Sequence, residues 1–290
     1  MHNDLDIFRR YDFRGSYPSE IDQGLSKQLA RTIGQTADQA SFIVGRDQRE
    51  TSGQIYEPVL QGLEEAGCTV ETPDTSYGIN GFATTDMIAY RAKQQGKHGI
   101  AVTASHMPND WTGLKPIQPN GRIYNNEEMS TVRDQFPAEP TLGHQPVRQT
   151  WDDATNEYTQ ALTEHYKTLF DNDLSGLDIC VDPGNAAGII ALPNVLKGLG
   201  ASVQTLYDDP TIKPERDLEP NEHTLGGLSE KVRQAEADFG IATDGDADRV
   251  VFVNGEGNVV PGSQPLALLG ERYVQRGETG ITASIDTSTY

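Results

Sequence analysis

The chain has 290 residues, 36% hydrophobic, with 43 acidic against 23 basic side chains, a formal net charge of −20 at pH 7 and a pI near 4.6. That length predicts about two domains with a sizeable core, and the acidic excess excludes nucleic-acid binding, since no basic face is available to replace phosphate counterions. No stretch approaches the apolar length of a bilayer span and Met1 to Arg10 carries no apolar leader segment, so membrane insertion and secretion are disfavoured and a cytoplasmic location is expected.

Hydrophobic periodicity predicts alternating helices and strands in three blocks, an α/β protein throughout. A helix near 22–38 precedes a strand at Phe42 to Val44. A helix near 53–66, a strand near 68–72 and a helix near 82–94 then lead to the strand Gly99 to Val102. A strand at Arg122 to Tyr124 and a helix starting near Asn126 close the first block, and the Pro-containing segment Phe136 to Val147 reads as a linker. In the second block, a helix near 153–169 leads to the strand Asp178 to Val181, a helix near 187–198, a strand near 202–207 and a helix near 224–236. The strands Phe239 to Thr243 and Val250 to Asn254 follow, then a hairpin turn at Gly255-Glu256-Gly257. A helix near 264–275 and an unpartnered strand at Thr282 to Ser288 begin a third block. The expected domains are therefore 1–140, 150–254 and an incomplete third, 255–290. Cys68 and Cys180, each in apolar surroundings, are expected as buried thiols rather than a bridge.

Between two strands of the second block lies Asp244-Gly245-Asp246-Ala247-Asp248-Arg249. Three carboxylates at alternate positions of extended backbone turn to one side, where they repel one another unless a cation is shared. Hard oxygen ligands favour magnesium or manganese over zinc. A calcium EF-hand would need Gly and Glu where this chain has Arg249 and Gly255. A solvated acidic turn is the plain alternative, but an arginine just past the ligands suits a phosphate that also touches the metal.

The second informative segment runs from Thr103 to Lys115, after the strand Gly99 to Val102. Ser105 stands where a buried strand gives way to a Pro- and Gly-containing loop, a position suited to an exposed nucleophile, although serines there more often cap or turn the chain. His106 beside it does not make a hydrolase triad, because neighbouring side chains diverge in extended backbone and no Gly-x-Ser-x-Gly elbow is present. A loop serine, an acidic metal loop and scattered arginines together suggest phosphoryl transfer. Both loops follow strands, so they could face one cleft between domains. The net charge would repel an anionic sugar phosphate at long range, so the site must be locally basic, with Arg9, Arg10, Arg14, Arg46, Lys115 and Arg249 as candidates. Gly184 to Gly188 reads as a tight strand-to-helix turn rather than a phosphate loop.

Six segments in order, Phe8 to Gly15, Gly45 to Ser52, the serine loop, Val181 to Gly188, Glu219 to Glu222 and the metal loop, resemble those of the α-D-phosphohexomutases, closest to the phosphomannomutase/phosphoglucomutase branch. The resemblance implies repeated three-layer α/β/α domains with mixed sheets, the serine loop in the first and the metal loop in the second. It also implies a magnesium-dependent interconversion of hexose 1-phosphate and hexose 6-phosphate, of mannose or glucose, through a phosphoserine and a sugar bisphosphate. Ser105 would carry the phosphoryl group, and Asp244, Asp246 and Asp248 would hold Mg2+ together with Ser105. Lys115 would be the candidate for proton transfer, its pKa expected to be lowered by arginine and magnesium, and His106 would orient the loop or help with the proton. Arg14 and Arg249 would offset the phosphoserine charge, and Tyr11 and Arg14 lie in the opening phosphate-site segment. Arg14 could instead pair with Asp12, and Arg249 with an aspartate of its own loop.

Two positions depart from the family pattern: Met107 and Thr112 stand where the family usually has Asn, which removes two amides from the serine loop. Family members also carry four domains, with the sugar-selecting loop in the third and a phosphate-clamping loop in the fourth, whereas this chain ends at Tyr290. Two alternatives follow, a phosphoglucosamine mutase or a non-catalytic or partner-dependent fragment that needs a separate carboxy-terminal half.

Overall fold

In the first block, polar caps and apolar faces start and seat the helices of the computed structural model, which describes residues 7–37, 40–141, 147–169, 174–277 and 280. Strand β1 (Phe13–Ser16) is followed by α1 (Gln23–Thr36), whose cap Asp22 accepts a hydrogen bond from Leu25 N and whose buried face presents Leu29, Ala30 and Ile33. Then come β2 (Ser41–Arg46), α2 (Glu50–Glu65), β3 (Thr69–Pro73), α3 (Thr85–Gln95), β4 (His98–Val102), β5 (Trp111–Ile117), α4 (Asn126–Gln135) and β6 (Val147–Trp151). The strands form one sheet in the order β1-β5-β4-β2-β3-β6, with β4, β2, β3 and β6 parallel and β5 antiparallel to both β4 and β1. Parallel strands are covered on both faces, which explains the unbroken apolar runs Phe42-Ile43-Val44 and Ile100-Ala101-Val102. On one face Leu29, Ile33, Ile55, Leu63 and Val132 pack over Phe42, Val44 and Ile100. On the other, Met87, Ile88 and Ala92 of α3 cover Ile43 and Ala101, and the same apolar cluster runs on through Trp151, Tyr158, Ile190 and Val195.

That continuation leads into the second unit. It comprises α5 (Ala154–Leu169), β7 (Asp178–Asp182), a 3-10 turn at Ala187–Ile190, α6 (Leu192–Gly198), β8 (Ser202–Thr205), α7 (Gly226–Ala235), β9 (Phe239–Thr243), β10 (Val250–Asn254), β11 (Val259–Val260) and α8 (Ser263–Gln275). Its sheet runs β11-β10-β9-β7-β8, parallel from β9 through β7 to β8 and antiparallel at β10 and β11. Leu228 and Val232 of α7 cover one face, and Leu192 and Leu196 of α6 lie on Ile179, Val181 and Ile241. The α/β class with mixed sheets is therefore observed.

Several elements differ from expectation. Trp111–Ile117, read as loop, is a strand buried along most of its length, so it shows none of the two-residue alternation that marks a half-exposed strand. Arg122 to Tyr124, read as a strand, makes only a single bridge, Ile123 to Ile117. The edge strands β1 and β6 are short or polar and were not foreseen, and β6 pairs with β3 of the first sheet. The expected strand from Thr282 to Ser288 lies outside the described residues. No helix among the described residues is long and apolar enough to cross a membrane. Cys68 and Cys180 are buried and free, and burial pushes both thiols up, Cys68 to about 12.

A charged cluster ties the first sheet to α5. Glu71 of β3, 3% exposed, accepts from Arg91 Nη2 at 2.7 Å and from the Lys97 ammonium, while Arg91 also bonds Glu157 of α5 at 3.1 Å and lies 4.8 Å over the Trp151 ring. Burial alone would raise the Glu71 carboxyl, but Lys97 and Arg91 outweigh it and hold it below its ordinary 4.5. A depressed carboxyl contributes stability that is present above its unfolded pKa and lost as pH falls through the folded value. Glu71→Gln is therefore expected to cost about 2–3 kcal/mol at pH 7, and to flatten the acid limb of stability below about pH 5. Denaturant unfolding across pH measures both; equal stability of mutant and wild type at pH 7 would show that the cluster contributes nothing net.

Candidate active site

The serine loop leaves the end of β4 and the acidic loop leaves the end of β9, and the packing of the two units brings them together. Ser105 Oγ donates to Asp244 Oδ2 at 2.8 Å, a contact across 139 positions of sequence. Ser105 sits in the left-handed region (φ 55), with its N–H donating to Thr103 Oγ1 at 2.8 Å. It is only 1% exposed, which corrects the expectation of an exposed nucleophile: the acidic loop lies directly over it. Gly245 makes that approach feasible, because a Cβ there would stand 2.6 Å from Ser105 O.

The acidic loop is folded on itself and anchored from both sides. Asp244 Oδ1 accepts the N–H groups of Asp248 and Arg249, each at 3.1 Å. Thr85 N, at the start of α3, donates to Asp246 O at 3.2 Å, and Ala187 N donates to Gly245 O at 3.2 Å. Ligand oxygens of Asp244, Asp246 and Asp248 all lie within 4.8 Å of one another. Asp246 is 1% exposed; its Oδ2 accepts from Lys115 Nζ at 2.6 Å and Thr85 Oγ1 at 2.5 Å, and its Oδ1 is buried with no partner. An orphaned buried carboxylate oxygen within an all-oxygen set fits a hard divalent cation.

Charge is distributed unevenly among these groups. Burial, and then the neighbouring Asp246 and Asp248 carboxylates, push Asp244 up to about 7. Asp246 is buried too, but the Lys115 ammonium outweighs its desolvation and holds it below the usual carboxylate range. Lys115 itself departs from expectation. Burial pulls its pKa down, yet Asp246 at 2.6 Å and Asp248 at 2.7 Å outweigh that and leave it raised, a cation rather than a ready base. His106 is lowered, first by burial and then by Arg249, so its ring is neutral near pH 7; Nδ1 lies 3.4 Å from Ser105 Oγ.

The other expected residues divide. Arg14 pairs with Asp12 (Nη2 to Oδ2, 2.7 Å) and reaches Ala104 O at 3.4 Å, which places it beside the serine loop. Arg249 pairs not with its own loop but with Glu219 at 2.8 Å, and Glu219 also lies 3.8 Å from His106. Tyr11 is 49% exposed beneath the Arg10 guanidinium and makes no hydrogen bond to either loop. Arg46 is spent on the carbonyls of Asn80 and Asp47, both at 3.0 Å. A cavity of about 670 Å³, lined by Thr84, Asp86, Tyr158, Leu192, Asp248 and Arg249, opens beside the acidic loop. Sequence reasoning missed Thr85, Asp47, Arg49 and the contact role of Glu219. Three of these lie in or beside segments singled out for their pattern, but nothing local marks where their side chains reach.

Comparison with known proteins bears on this geometry. Two family models match in order: phosphoglucomutase/phosphomannomutase alpha/beta/alpha domain I over residues 5–142, and domain II over residues 156–257. A "probable phosphoglucosamine mutase" of Methanosarcina acetivorans is 33% identical, over 98% of this chain and 63% of its own length. A "phosphoglucomutase/phosphomannomutase" of Thermococcus kodakarensis is 29% identical, over 95% of this chain and 61% of its own. Among solved structures, a phosphoglucomutase/phosphomannomutase family protein of Burkholderia thailandensis shares the fold with a TM-score of 0.78 at 23% identity, over 94% of this chain and 60% of that one. The chain thus spans about three fifths of the length of the curated relatives it matches.

Proposed function

Since this chain belongs to the phosphoglucomutase/phosphomannomutase family, we propose that it moves a phosphoryl group between Ser105 and the hydroxyls of a hexose phosphate, interconverting the 1-phosphate and the 6-phosphate through a sugar bisphosphate. The observation that carries this reading is the 2.8 Å bond from Ser105 Oγ to Asp244 Oδ2, beside an acidic set with a vacant buried oxygen. Asp244, Asp246 and Asp248 would hold Mg2+, which, when bound, offsets charge on the transferring phosphoryl oxygens.

The residues of the chain divide the remaining work. The sugar hydroxyl oxygen bonds to phosphorus as the bond to Ser105 Oγ breaks; the hydroxyl gives up its proton and Oγ ends by gaining one. Neutral His106, 3.4 Å from Oγ, is the group best placed to handle that proton. Cationic Lys115 holds Asp246 and Asp248 in place and faces the transferred group as a positive donor. Arg14 and Arg249 add positive charge around the serine, with Arg249 exchanging Glu219 for phosphate oxygens. Burial of Ser105 excludes water, which would otherwise compete with the sugar.

Remote binding of the non-reacting phosphate orients the sugar for transfer, and the relatives extend well beyond this chain, so we propose that full turnover needs a polypeptide carrying their remaining length. The names of the relatives favour glucosamine phosphate as a second substrate reading beside mannose and glucose. The test is a mutase assay on the 1-phosphates of mannose, glucose and glucosamine, with magnesium and catalytic sugar bisphosphate, with and without a supplied carboxy-terminal half. Conversion of one sugar, raised at least about tenfold by the supplied half, is expected; no conversion of any of them with the half present would overturn the reading.

A further inference from the structure

We propose that the buried Asp47–Arg49 pair is the positioning device of the serine loop, fixing the backbone of Ser105 on both its N–H and its C=O side; that it serves phosphoryl transfer rests on the reading above. Arg49 is 3% exposed, and its guanidinium donates to three loop carbonyls: Nη2 to Ser105 O at 2.6 Å and Met107 O at 2.5 Å, and Nη1 to Pro108 O at 2.6 Å. Asp47, 1% exposed, accepts from Thr103 Oγ1 at 2.7 Å, and the same Oγ1 accepts the Ser105 N–H. The pair is closed on itself, with Arg49 N to Asp47 Oδ1 at 3.1 Å and Arg49 Nε 3.2 Å from Asp47 Oδ2. Both backbone groups of the nucleophile thus end on one ion pair.

Four physical points single out this pair. A non-glycine residue with positive φ persists only where its surroundings over-determine it, and Ser105 is such a residue. Inward carbonyls need donors, and Met107 supplies no side-chain donor while Thr112 Oγ1 is itself buried without a partner. A planar guanidinium can serve three carbonyls at once where an ammonium cannot. Buried ion pairs are costly stabilisers compared with apolar packing, so a positioning role accounts better for this one. The same helix start ties the far end of the loop, since Thr51 Oγ1 donates to Trp111 O at 2.8 Å.

The experiment compares wild type with Arg49→Lys and Thr103→Val by amide hydrogen exchange and by the rate at which glucose 1,6-bisphosphate with magnesium phosphorylates Ser105. Both variants should exchange about tenfold faster or more within residues 103–110 only, with phosphorylation slowed on the order of 100-fold and calorimetric Mg2+ affinity within about threefold of wild type. Wild-type exchange in that segment in a folded variant overturns the proposal, as does a uniform rise across the whole chain, which would mean general destabilisation. Thr103→Val, nearly isosteric, decides alone if Arg49→Lys does not fold. Local loosening in the variants with a wild type that stays unphosphorylated even when the carboxy-terminal half is supplied would uphold the clamp and instead refute the phosphoserine reading.

Discussion

Ser105→Ala will accept no phosphoryl group from a sugar bisphosphate, and mutase turnover with the complementing half supplied will fall by at least about 10^4-fold. The size of the effect follows from the proposed chemistry: the oxygen that would carry the phosphoryl group is removed, and no second hydroxyl is hydrogen-bonded to Asp244 Oδ2 among the described residues. The fold should survive, because the change deletes one atom at a buried position and leaves the Ser105 backbone contacts with Arg49 and Thr103 in place. Asp244 Oδ2 loses a partner, at a cost of about 1 kcal/mol. Intact-mass measurement after incubation with bisphosphate and magnesium, alongside thermal unfolding, reads both results. A variant that still took up phosphate would remove Ser105 from its role.

The second large effect is expected at Asp246. This carboxylate is buried, is held ionised by Lys115 and keeps one oxygen unpartnered, so it has the most to contribute to a cation. Asp246→Asn preserves shape and Thr85 contact but removes the charge, and Mg2+ affinity should fall at least about 100-fold, since even residues that only orient ligands cost 10- to 100-fold. Ser105 phosphorylation at low magnesium should fall in parallel and recover as magnesium is raised, which a general folding defect would not do. Calorimetric titration with Mg2+ measures the first effect directly. Unchanged affinity would remove the acidic loop from any role in holding magnesium.

The two loops differ in how far each could be read from the chain. The acidic loop was legible because its evidence is local: three aspartates within five residues, between two apolar strands, hold the same spacing in any fold that keeps the strands. Ser105 was legible as a segment but not as an environment. It was expected at the surface and is buried, because its cover, Gly245 and Asp244, comes from another unit. Strand β5 was hidden for a related reason: buried by neighbours on both faces, it has no polar face for periodicity to detect. Lys115 was expected to be acidified by arginine and metal; the carboxylates of the facing loop reverse the sign. Arg249 was expected to offset the phosphoserine charge, with a partner in its own loop as the alternative, and it pairs with Glu219, 30 positions away.

By itself the sequence determined the α/β class, the acidic triplet and the order of segments that mark the family, since each depends on periodicity or on residues a few positions apart. Tertiary structure alone decided the meeting of Ser105 with Asp244, the protonation balance among Asp244, Asp246 and Lys115, and the hold of Arg49 on the serine loop. Desolvation and Coulomb energy depend on which groups share a water-poor space, and that is set by how two sheets pack rather than by which residues adjoin in the chain.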